Sequence, residues 1–96
     1  METKTQLPDP NEFCLVLTPG LSAPVRASEA IRQHFGALAE EIRGNLAALI
    51  GELVEKSVER RPRRPITVMV VLEADAIRGE VSDPIELVSF QIPLNC

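Results

Sequence analysis

The sequence predicts a two-layer α+β domain in which strands and helices share one hydrophobic core. Three observations carry this: a helix-periodic stretch from Ala37 to about Arg60, short β-branched or apolar runs on either side of it, and turns marked by proline and glycine between them. The order is strand, two helices, then two or three strands, β-α-α-β-β-(β). With 96 residues there is room for one core and one domain.

Residues Met1 to Asn11 are polar and contain two prolines, so they read as a flexible N-terminal segment ahead of a domain spanning 12–96. Phe13 to Leu17 is a short apolar run closed by Pro19-Gly20, which predicts the first strand and a turn. Ser22 or Ser28 is the expected cap of the next helix, whose apolar positions Val25, Ile31 and Phe35 recur at helical spacing until Gly36.

The long helix follows from Leu38, Ile42, Leu46, Leu49, Ile50, Leu53, Val54 and Ser57 or Val58, spaced by three and four along one face. Glu40, Arg43, Glu52, Glu55, Lys56 and Glu59 occupy the other face. Gly44 and Gly51 each weaken a helix by up to about 1 kcal/mol relative to alanine, which points to close packing at one or both. Pro62 and Pro65 end the helix, and the four arginines between Arg60 and Pro65 suit the negative end of its dipole.

Ile66 to Leu72 and Ala76 to Val81 read as a β-hairpin turning at Glu73 to Asp75. Ile85 to Leu94 alternates Leu87, Ser89, Gln91 and Pro93 with Val88, Phe90 and Ile92, the pattern of an edge strand. The predicted core joins Leu46, Leu49, Ile50, Leu53 and Val54 of the helix to Val68 and Val70 of the strand.

Composition narrows the function classes. A net charge of −4, the absence of Trp and Tyr and only three Phe argue against a nucleic-acid partner, which needs basic patches and stacking platforms. The longest apolar run is far below the roughly 20 residues that cross a bilayer, and no signal-peptide pattern opens the chain. A cytoplasmic setting is expected. Cys14, in an apolar run, and Cys96 form no disulfide framework or metal spacing, and Cys14 reads as a small core residue. His34 has no ligand or catalytic partner at a useful spacing and reads as a surface residue.

The stretch ALAEEIRGNLAALIGELVEKSVERRPRRPITVMVVLEADAIRGEVSDP, Ala37 to Pro84, is similar to the ATP-binding domain of bacterial anti-sigma-factor serine kinases. These belong with the histidine kinases and gyrase in one GHKL-type family. The family carries E-L-V-x-N-A-V-R-H on a helix, then a strand like P-I-T-V-R-L, then a strand ending in V-S-D. With the first strand and helix added, the resemblance extends over most of the chain.

That resemblance implies helices packed on one face of a mixed or antiparallel sheet, with ATP and magnesium as cofactors and a serine on a protein as the phosphate acceptor. Glu52 matches the catalytic general base, and Asp83 matches the aspartate that hydrogen-bonds the adenine amino group. Lys56 stands where the family has its magnesium-binding asparagine. An ammonium offers only donors, so its implied role is phosphate contact rather than metal ligation. After Asp83 come Pro84, Ile85 and Glu86 instead of glycines, and the lid region is missing. The expectation is a truncated, anti-sigma-factor-like regulatory domain of bacterial signalling with impaired nucleotide binding. Its partner is a protein such as a sigma factor or its antagonist. The competing expectation is a small α/β domain that forms oligomers, a homodimer among them, through the Ile85 to Leu94 edge.

Overall fold

The computed structural model describes residues 11–60 and 63–94. Apart from Asn11, the expected N-terminal segment 1–11 lies outside the described residues, as do Cys96 and part of the arginine-rich loop. The element order is β1 (Glu12–Leu17), α1 (Ala23–His34), α2 (Glu40–Glu59), β2 (Ile66–Leu72), β3 (Ala76–Ser82) and β4 (Leu87–Pro93). The sheet is antiparallel throughout, in the spatial order β1-β2-β3-β4.

Both helices lie on one face of this sheet, α1 over β1 and α2 over β2 and β3. This is the α+β two-layer sandwich expected from the order of elements. Register explains the partition of side chains, because strand residues alternate between faces. Phe13, Leu15 and Leu17 stand opposite Val70, Val68 and Ile66 in β2, and Val68 and Leu72 stand opposite Val81 and Ile77 in β3. That face meets the helices. The other face carries Val16, Met69 and Leu87, all substantially exposed.

Burial corrects three expectations, and hydrogen bonding qualifies a fourth. Leu46, Ile50, Val54, Val68 and Val70 are sealed in one core, whereas Leu49 is only half-buried and Leu53 is half-buried against the core's edge. In α1 the buried stripe is Ala23, Ala27 and Ile31, and Val25 is 60% exposed. Small residues there let α1 sit close to α2. Cys14 is exposed because its place in β1 turns it to the uncovered face. Ser22 occupies the N-cap position without a capping side-chain bond, and Ser28 instead donates to the Ala47 carbonyl at 2.7 Å.

Ser28 also explains one glycine. A Cβ on Gly51 would come within 2.6 Å of Ser28 Oγ, so the two helices approach at a point where only hydrogen fits. At the end of α1, His34 is exposed and rests edge-on against Phe35 and Phe13, with ring centroids 4.7 and 5.2 Å away.

Candidate functional site

The polar side chains that sequence reasoning singled out lie on two elements that meet: the last turns of α2 and the turn joining β3 to β4. The turn forms because Asp83-Pro84 favours chain reversal, proline presetting its own φ and aspartate capturing nearby backbone donors. Asp83 Oδ1 accepts from the N–H groups of Ile85 at 2.7 Å and Glu86 at 2.8 Å, while Asp83 N–H donates to the Glu86 carbonyl at 2.9 Å.

The other carboxylate oxygen is turned onto α2. Asp83 Oδ2 accepts from the Ser57 hydroxyl, from Arg60 Nη2 at 2.9 Å and from Arg60 Nε at 3.3 Å. Arg60 Nη1 reaches Glu86 Oε1 at 3.3 Å as well, so one guanidinium holds both ends of the turn. Ser57 is a fully buried polar residue in the core, and the Asp83 side chain has no accessible surface, whereas Arg60 keeps a quarter of its side chain in solvent.

The electrostatics follow from this packing. Burial on its own would raise the Asp83 pKa by penalising the charged form. Donation from Ser57, from the N–H groups of Glu86 and Ile85, and from Arg60 outweighs it and lowers the pKa from 3.8 to about 2. Asp83 is therefore an anion whose lone pairs are taken up within the chain. Adenine recognition by this carboxylate would require one of these bonds to be given up.

Glu52 and Lys56 are placed otherwise. They are a helical turn apart on α2, and both are exposed. The structure brings Asp83 to α2 through Ser57 and Arg60, not through Glu52 or Lys56. Two shallow hollows open along the sheet, of about 270 and 600 Å³, and both are lined by the Met69 and Val71 region of β2 rather than by Glu52, Lys56 or Asp83. Among the described residues no group of three or more His, Cys, Asp or Glu side chains is placed to hold a metal ion. No described helix is long and apolar enough to cross a membrane.

Sequence reasoning missed Ser57 and Arg60 as the partners of Asp83. A signal for Ser57 was present, since a hydroxyl at a core position of the helix stripe needs a bonding partner when buried. Arg60 gave none, because it is one of four arginines in an exposed-looking run. Comparison with protein-family models, with curated proteins and with solved structures found no match.

Proposed function

We propose that this chain is a regulatory module of bacterial signalling that works in the cytoplasm by docking a protein, a sigma factor or its antagonist, without phosphoryl transfer. The observation that supports this most is the state of Asp83: the residue matching the adenine-binding aspartate is buried and saturated by Ser57, Arg60 and the backbone of its own turn. Lys56 supports it further, because an ammonium supplies no lone pair for magnesium where the resembling family has an amide. In this reading the anti-sigma kinase frame is kept as a docking scaffold, and Glu52 is a solvated helix residue.

The test is titration of the purified protein with magnesium-ATP, read as a shift in melting temperature and by calorimetry. A ligand selective for the native state stabilises it by about 2.7 kcal/mol at a hundred times its dissociation constant. The expected outcome is no shift at millimolar nucleotide, together with saturable binding of a sigma factor or antagonist protein. Binding of magnesium-ATP below millimolar concentration, or phosphate transfer to a partner serine that Glu52→Ala abolishes, overturns the proposal.

A further inference from the structure

Strand β4 ends the sheet, and its sequence, LVSFQIP, carries none of the usual devices that blunt an edge. It has no charged side chain, its register with β3 runs without a bulge, and its proline is the last residue. The opposite edge, β1, is shorter and begins on Glu12. Val88, Phe90 and Ile92 face the helical layer yet remain half-buried, because the helices lie over β1, β2 and β3.

The hydrogen-bond phase of β4 is fixed at both ends. Asp83 N–H donates to the Glu86 carbonyl before the strand, and Leu94 N–H donates to the Asp75 carbonyl after it, each at 2.9 Å. Bonded and unbonded pairs alternate in an antiparallel ladder. Val88, Phe90 and Ile92 therefore direct their main-chain groups to β3, while Leu87, Ser89 and Gln91 direct theirs outward. Pro93 has only a carbonyl to offer.

The polarity of the strand reads the same in either direction from Phe90. An antiparallel copy centred there sets Val88 against Ile92 of the second copy, Phe90 against its own equivalent, and Ser89 against Gln91. Ser89 and Gln91 are then the pairs that exchange both N–H and C=O bonds. We infer that the chain forms a two-fold symmetric homodimer by antiparallel β4–β4 pairing about Phe90, which joins the two sheets into one.

A second copy suits this edge because the palindrome matches itself on both faces, and an uncharged strand brings no like charges together across the axis. Phe90 permits the close approach that an unbonded central pair needs, about 4.5 Å between Cα atoms. Its ring lies over Gly79, where a Cβ would come within 2.8 Å of Phe90 Cε2, so each ring leans back onto its own β3. Dimerisation does not depend on the regulatory reading, since a docking module and a purely structural domain would pair alike.

Sedimentation equilibrium of the full chain, over roughly 1 μM to 1 mM, tests the inference. The parent is expected to populate a dimer that dissociates on dilution. Ser89→Pro removes an N–H that faces away from β3, and Ser89→Lys adds an edge charge opposite Glu80 of its own chain. Each should raise the dimer dissociation constant at least tenfold with an unchanged circular dichroism spectrum, and the lysine variant still reports if the proline variant misfolds. A parent that stays monomeric at 1 mM overturns the inference. So does a dimer that folded Ser89 variants leave intact, or assembly that grows beyond two copies.

Discussion

The Ser57 hydroxyl donates to Asp83 Oδ2 across the boundary between α2 and the β3–β4 turn, and both side chains are closed to solvent. A helix end and a hairpin turn are thereby held by one buried polar contact, with Arg60 closing it from the solvent side.

Ser57→Ala should destabilise the fold by about 1–3 kcal/mol, because it leaves a buried carboxylate short of a donor. Arg60→Ala should cost less, since water can reach the carboxylate through the space left by a partly exposed guanidinium. Urea denaturation of both variants checks the order. A larger loss for Arg60→Ala would mean that Asp83 is held mainly by charge and not by the buried hydroxyl.

Acid should act through the same carboxylate. Its folded pKa, about 2, lies below the ordinary 3.8. The stability it contributes is thus fully present above about pH 5 and is lost as pH falls through 4 towards 2. The difference corresponds to about 2 kcal/mol at most. Between pH 6 and pH 2 the unfolding free energy from urea titration should fall more for the parent than for Asp83→Asn, by about that amount, and equal falls in the two proteins would remove Asp83 from the account.

Gly79→Ala should be costly out of proportion to one methyl group. The added carbon meets the Phe90 ring and, at 2.9 Å, the Met69 carbonyl, and overpacking of this kind costs about 1–3 kcal/mol. Phe90→Ala on the same background should recover part of the loss, so the double variant is expected to be more stable than the sum of the single effects. Strict additivity of the two would show that the ring and the glycine do not touch.

Much of the fold was legible because its signals are local. Spacing alone placed α2, the turn at Glu73 to Asp75 placed the β2–β3 hairpin, and alternation marked Ile85 to Leu94 as an edge strand. What was not legible depends on which faces are covered. Cys14 sits in an apolar run and still faces out, because only one side of the sheet bears helices. Val25 keeps helical phase with Ile31 only loosely, and the alanines at 23 and 27 carry the contact instead. At the candidate site, Asp83-Pro84 was readable as a turn pair, but the partners of Asp83 are distant in sequence and needed the fold to bring them in.

The place of β1 in the sheet has a kinetic side. The helical pair and the β2–β3–β4 meander each form from neighbouring stretches of chain, whereas β1 finds β2 only after both helices have been traversed, with Leu17 pairing to Ile66. The entropy of closing that long loop falls on a single ladder, and it must be met before the ladder rewards it. The first strand in the sequence is thus the one whose sheet partner local order does least to prepare.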